Sequence, residues 1–369
     1  MKILLVSSKY MPEYSGSGLR AHNLYKRLHA KHDDLTVYIL SGSVTENDSL
    51  KYEYDGFDVN RVACKRFPAL SSFPIIRRMQ NALNFHSEFK VAINTIKGLA
   101  KEAPPDLIHI FGKNNVTAAA IHYANAENIP LLIELCNEMP SPLQHIPFPY
   151  KTWISGEANT KHVYVCISER LKRMCISSKV PETNIWCRPN PIDEGIFRPV
   201  SSEAKRALRK KLAEFALNDK LLVYIAKYKH IKNHRFLLEV LARLPKTFKL
   251  IIGGPLAEKG PFKKESDAIV SAIKNDIERL NLKPRVKMIS GFQNNVHEYY
   301  QMADAYLFPT KEEGLGTPML ESIASGIPVV VNKIEGITDV WVENGENGFI
   351  LSLEPRIFAK AIIEVLEDF

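Results

Sequence analysis

The chain of 369 residues is 45% hydrophobic and 24% charged, a composition that excludes a disordered or fibrous protein, and its length suits two domains better than one core. Its net charge of +8, with a pI near 9.0, is unevenly spread: residues 1–190 carry 23 Lys and Arg against 17 Asp and Glu, residues 191–369 carry 26 against 24. The five cysteines, Cys64, Cys136, Cys166, Cys175 and Cys187, are odd in number and form no C-x-x-C, which argues against a disulfide framework or a zinc site and for a reducing compartment.

No stretch approaches the ~20 apolar residues of a membrane span. The opening run Ile3-Leu4-Leu5-Val6 is too short for a signal peptide. A cytoplasmic protein is therefore expected. Its more basic first half is the face for an anionic partner or the cytoplasmic surface of a membrane, unless the excess charge serves solubility alone.

Residues 2–8 read as a buried strand, residues 9–17 as a loop, and a helix follows through Leu19, Leu24 and Leu28 to a second strand at 35–40. This βαβ start implies a parallel, doubly wound α/β sheet. The run from Gly16 to Ala21, with Gly18 inside it, nominally fits a dinucleotide fingerprint. Its glycines come about eight residues after the strand, and the second strand ends in Leu40-Ser41-Gly42 with no acid for a ribose. Both features count against a dinucleotide-dependent oxidoreductase.

Residues 61–103 hold Arg61, Lys65, Arg66, Arg77, Arg78, Lys90, Lys97 and Lys101. Ile75, Ile76, Met79, Leu83, Phe89, Ile93 and Ile96 interleave with them at roughly helical spacing. Two readings stay open: an amphipathic surface for anionic lipid or a lipid-linked acceptor, or a helix packed on the sheet with a solvated basic face. Strands are expected at 105–110, 131–135 and 163–168, with Glu138 just beyond the second as a candidate acceptor contact. The proline-rich stretch 186–199 lacks periodicity and reads as a linker, giving domains 1–189 and 190–369.

The second domain offers strands at 221–226, 250–252, 286–289, 305–308 and 327–331, and a helix at 234–244. Lys227 and Lys232 follow the first of these strands. Two cations near a helix N-terminus suit a diphosphate, although a Lys-rich loop alone is more often merely solvated. The most informative stretch is 309–326, PTKEEGLGTPMLESIASG. Thr317 and Pro318 suit an N-cap and first helical position, and the helix should stop near Gly326. The backbone of Gly314, Leu315, Gly316 and Thr317 then offers bare N–H groups to a phosphate. Glu313 and Glu321, with seven residues between them, would repel that phosphate unless they accept hydrogen bonds from hydroxyl groups, which sugars supply. The plain alternative is a solvated turn beside a surface Glu.

The segment EGLGTPMLESIASGIPVVV closely resembles the signature of the retaining, nucleotide-sugar-dependent glycosyltransferases of family 4, which have the GT-B fold. The resemblance continues through Asp106-Leu107-Ile108-His109, residues 190–199, Lys227 with Lys232-Asn233, and residues 340–350, so it covers nearly the whole chain. It implies two Rossmann-like, doubly wound domains facing across a cleft. The first would supply most of the acceptor site; the second would bind the nucleotide-sugar. The implied reaction is hexosyl transfer, with retention, to a glycan, lipid-linked or small-molecule acceptor. The resemblance puts Lys227 and Lys232 on the diphosphate, Glu313 on donor sugar hydroxyls and Glu321 on the ribose. It puts Gly291 and Phe292 against the base, Gly16 and Gly18 near the donor phosphates and acceptor, and the strand end at His109 toward the acceptor.

Two departures stand out. Lys227 occupies the place of an Arg and cannot make a bidentate fork. Phe111 occupies the place where many members carry a second His, which keeps open a non-catalytic sugar-nucleotide-binding subunit. No D-x-D occurs, so neither a metal nor a cofactor is expected, and the two lysines would stand in for the metal. Nothing points to nucleic acid, and the oligomeric state is not legible. The chain ends at Phe369 on a helical pattern, so the helix that in many relatives crosses back to the first domain is expected to be missing or short.

Overall fold

The computed structural model describes residues 1–13, 15–43, 49–63, 73–136, 162–256, 262–291 and 293–368. The chain divides into two compact units, Met1–Pro189 and Asn190–Phe369.

In the first unit, eight strands are β1 (Lys2–Ser7), β2 (Thr36–Gly42), β3 (Leu50–Tyr54), β4 (Phe57–Val62), β5 (Leu107–Phe111), β6 (Leu131–Leu135), β7 (His162–Cys166) and β8 (Ile185–Cys187). Their order is β3-β4-β2-β1-β5-β6-β7-β8. All neighbours pair in parallel except β3 with β4. The central strands are apolar throughout because helices cover both faces. Ile3, Leu4, Leu5 and Val6, for example, are all buried. The antiparallel edge hairpin turns on Asp55 and Gly56, both at positive φ (51° and 82°), the geometry of a two-residue primed turn. An Asp-Gly pair between strands announces such a turn, and the sequence reading did not use it.

The chain winds from β1 to β2 on one side and returns to β5 on the other. The loops after β1 and β5 therefore flank the point where strand order reverses, the usual ligand position in an open α/β sheet. The helix Gly16–His29 starts here, earlier than expected. Ser15 caps it, its side chain accepting from the Gly18 N–H at 2.9 Å. Gly16 and Gly18 thus sit in the first helical turn rather than in a loop. A Cβ on Gly18 would lie 2.5 Å from the Lys9 carbonyl oxygen, so this close approach requires glycine.

The segment 61–103 becomes the helix Pro74–Glu102. Its C-terminal two-thirds buries Phe85, Ala92, Ile96 and Ala100 and packs on the helix Asn115–Ala126. Its first turns do not pack: Ile75, Met79 and Leu83 are each more than 60% exposed, with Arg77 and Arg78 exposed between them. The packed part of the helix fits the second of the two readings, and its exposed first turns carry apolar and basic residues side by side. Cys64, Lys65 and Arg66 lie outside the described residues.

The second unit holds β9 (Lys220–Ile225), β10 (Phe248–Gly254), β11 (Val286–Ser290), β12 (Ala305–Phe308), β13 (Val329–Asn332) and β14 (Gly348–Leu351). Their order is β11-β10-β9-β12-β13-β14, all parallel. The reversal lies between β9 and β12. The loops that follow these two strands, residues 226–233 and 309–316, are the ones that carry Lys227, Lys232, Glu313 and the glycines.

Candidate functional site

The site in the second unit is assembled by backbone bonds between the loops after β9 and β12. The Lys311 N–H donates to the Ile231 carbonyl at 2.8 Å, the Thr310 hydroxyl donates to the same oxygen at 3.2 Å, and Asn233 Nδ2 donates to the Pro309 carbonyl at 3.3 Å. Asn233 caps the helix His234–Leu241 in the left-handed region (φ 54°, ψ 38°). Asn tolerates that region better than most residues, so this loop can turn tightly into the helix. From below, the Tyr224 hydroxyl donates to the Lys232 carbonyl at 2.6 Å. His234 is buried, stacks on Tyr228, and sits with Nε2 3.1 Å from the Ala226 carbonyl. Burial pushes its imidazole down to about 4, so it is neutral and acts as a packing group.

These ties bring Lys232 and Glu313 together as an ion pair, with each side chain 17% exposed. Lys227 stands half-buried at the start of the same loop. Gly314, Leu315, Gly316 and Thr317 lead into the helix Thr317–Ala324. The N-cap is Gly316 at φ +81°, one residue earlier than expected. The Thr317 side chain is instead engaged by Asn190, whose Nδ2 donates to the hydroxyl at 3.2 Å. Among the described residues no side chain caps this terminus; Pro318 carries no N–H and the Met319 N–H donates to the Gly316 carbonyl at 2.9 Å, so the Thr317 N–H is the first-turn donor left for an anion. Glu321 lies about one turn in, above buried Tyr300. Burial pushes its carboxyl up to about 7, and the Tyr300 hydrogen bond pulls it partly back. Gly291 follows β11 at φ +86° on the same edge of the sheet. Phe292 lies outside the described residues.

The first unit holds a second constellation that sequence reasoning missed. Glu134 on β6 has a side chain only 1% exposed. The Arg20 guanidinium donates to its Oε2, Arg188 Nη2 donates to Oε1 at 2.6 Å, and His109 Nε2 approaches Oε1 at 3.3 Å. The Tyr25 hydroxyl bonds His109 Nδ1 at 2.7 Å. Burial lowers the His109 pKa more than Glu134 raises it, so the imidazole is neutral. Burial opposes ionisation of Glu134, but the His109 bond and the two arginines outweigh it and hold its carboxyl below the usual range. His109 is therefore a buried member of a network, in contact with Glu134 and Tyr25. Phe111, in place of a second His, is buried with Arg20 over its ring at 5.6 Å. The available signal was a lone Glu in the apolar strand LLIEL, since a buried carboxylate needs partners. Glu138 lies outside the described residues. Among the described residues no group of three or more His, Cys, Asp or Glu could hold a metal, and no helix is long and apolar enough to cross a membrane.

Residues 205–369 match the family model described as Glycosyl transferases group 1. The chain is 25% identical over 198 residues to N-acetyl-alpha-D-glucosaminyl L-malate synthase of Bacillus anthracis, covering 52% of this chain and 49% of that protein. The chain thus spans about half the length of that relative. It is 22% identical over 361 residues to the UDP-Gal:alpha-D-GlcNAc-diphosphoundecaprenol alpha-1,3-galactosyltransferase of Escherichia coli, covering 94% of this chain and 89% of that one. In fold it is similar to Anabaena Alr3699/HepE, solved in complex with UDP and glucose, with a TM-score of 0.72 at 18% identity over 100% of this chain and 90% of the other. Residues 205–369 thus match the glycosyl transferases group 1 family model, and the chain carries the GT-B fold of two Rossmann-like α/β domains.

Proposed function

We propose that this protein is a glycosyltransferase that moves a hexosyl unit from a nucleotide-diphospho-sugar to an acceptor, with retention at the anomeric carbon. One observation carries the reading: Lys232, Glu313 and the uncapped helix terminus at Gly316 and Thr317 converge at the strand-order reversal of the second unit. As the glycosidic bond breaks, the sugar gains oxocarbenium character and the leaving diphosphate gains negative charge. Lys227, Lys232 and the helix terminus at Thr317 stabilise that charge. Glu313 holds donor sugar hydroxyls, and Glu321 accepts from the ribose. Gly291 lies against the base.

The first unit supplies the acceptor site, with Gly16 and Gly18 at its helix terminus. The Escherichia coli relative, a galactosyltransferase acting on a diphosphoundecaprenol-linked sugar, supports a lipid-linked acceptor. So does the exposed tip of the helix Pro74–Glu102, whose apolar residues and Arg77 and Arg78 suit an anionic membrane surface.

Thermal-shift measurement with UDP-, GDP- and ADP-sugars tests the reading. A donor at 100 times its dissociation constant should add ~2.7 kcal/mol of stability; no stabilisation by any of them would overturn it. Because the lysines carry the diphosphate charge, turnover should survive EDTA. Loss of turnover restored by manganese or magnesium would remove the lysines from that role.

A further inference from the structure

We propose that the strand-order reversal of the first unit binds a phosphoryl or diphosphoryl group of the acceptor, held by Arg20 and Arg188 on either side of Glu134. The inference rests on the glycosyltransferase reading for the word acceptor, but the anion site itself rests on charges within the first unit.

The cluster is not balanced. Among the described residues, two permanent cations meet one carboxylate, and the other titratable side chain that bonds that carboxylate, His109, is neutral. Glu134 is buried, but the Arg20 and Arg188 side chains are 19% and 23% exposed, so part of their excess positive charge is presented at the surface. The arrangement is also half-used. Arg20 gives Nη2 to one carboxylate oxygen and Arg188 gives Nη2 to the other. Arg20 Nη1 and Arg188 Nε are covered yet have no acceptor among the described residues. Guanidinium N–H groups are good donors to phosphoryl oxygens, and each of the two arginines keeps one donor atom beyond the one given to Glu134.

Position and surroundings agree. The Arg20 guanidinium rests over Phe111 at the end of β5, and Arg188 over Trp186 on β8 at 5.3 Å. The Arg188 N–H donates to the Cys166 carbonyl at the end of β7 at 2.8 Å. Both cations are thus fixed at the C-terminal edge of the sheet, where open α/β folds place ligands. Lys9 and Glu13 in the loop after β1 pair with each other at 3.0 Å, so they leave the excess charge in place. Glu134 is a positioning residue: it holds two arginines that would otherwise repel each other, one on each of its oxygens.

The test is calorimetric titration of inorganic pyrophosphate into the full chain, with UDP, GDP or ADP (whichever binds tightest) kept at saturation to close the donor site. Wild type should bind pyrophosphate. Arg188→Gln and Arg20→Gln should each weaken it roughly tenfold or more, as loss of a charge-assisted bond requires, while keeping their nucleotide affinity. Glu134→Gln, which cannot anchor both guanidinium groups as a carboxylate does, should also weaken pyrophosphate while leaving nucleotide affinity unchanged, and Glu134→Asp should recover part of the loss. Farnesyl diphosphate binding much tighter than pyrophosphate would identify a lipid-linked source; equal binding would identify a soluble phosphorylated acceptor. Pyrophosphate failing to bind the nucleotide-loaded chain, or binding wild type and both arginine variants equally, would overturn the proposal. Failure of every nucleotide to bind would instead count against the donor reading.

Discussion

Lys232 and Glu313 form an ion pair across two loops that are 81 residues apart in sequence and bonded to each other by their backbones. Under the proposed function, the cation assigned to the diphosphate is already paired before a donor arrives. On that proposal, binding would exchange Glu313 for phosphoryl oxygens at Lys232 and free Glu313 to take up sugar hydroxyls.

Glu313→Gln should therefore separate two effects. It removes a competitor for Lys232, so the free nucleoside diphosphate should bind tighter. A partly exposed pair is worth about 1 kcal/mol, or roughly fivefold. Transfer from the intact nucleotide-sugar should fall, because a contact to the sugar is lost. Nucleotide titration and steady-state kinetics on one variant read both. Weaker nucleotide binding together with undiminished turnover would show that the pair does not open on binding.

Glu321 gives a pH prediction with a definite sign. Burial raises its folded pKa to about 7, above the ordinary carboxylate value near 4.5. The folded chain therefore holds a proton that the unfolded chain has released across that window. Its favourable contribution is complete below pH 4.5 and is lost as pH rises through about 7. Glu321→Gln, which cannot ionise, should be more stable than wild type at pH 8, by on the order of 1–3 kcal/mol, and equal to it near pH 4. Donor binding should run the other way in wild type, strengthening above pH 7 as the ionised carboxylate accepts from the ribose, and should lose that dependence in the variant. Urea unfolding and nucleotide titration at both pH values check the two halves. A flat stability difference would remove the raised pKa.

The tip of the helix Pro74–Glu102 predicts charge-dependent membrane contact. The full chain should co-sediment with vesicles containing anionic lipid at low salt, pellet less as salt screens the charges, and pellet less again when Ile75 and Met79 are both changed to Ser. Equal pelleting with neutral and anionic vesicles would end the idea.

The parallel sheets and the loops after β9 and β12 were legible because their signals are local. A glycine-rich loop between an apolar strand and a helix, with Pro318 near the helix start, announces itself within twenty residues. The details that moved are those decided by neighbours. Thr317 would serve as an N-cap by residue type alone, but Asn190 engages its hydroxyl and Gly316 takes the left-handed cap. Gly16 and Gly18 read as loop glycines, yet Ser15 captures them into the helix. The Arg20–Glu134–Arg188 cluster was not legible, since its members are 114 and 54 residues apart and only the sheet order brings them together. His109, singled out by its place at a strand end, is explained by Glu134 and Tyr25, partners that no local pattern supplies.

The central claim is that the loops after β9 and β12 hold the donor diphosphate through Lys232. The most direct measurement is calorimetric titration of the best-binding nucleoside diphosphate among UDP, GDP and ADP into wild type and Lys232→Ala, with folding checked by circular dichroism. A lost charge-assisted contact should weaken binding by about 1.5–3 kcal/mol, or roughly 10- to 150-fold. A folded Lys232→Ala variant that binds the nucleotide as tightly as wild type would contradict the account.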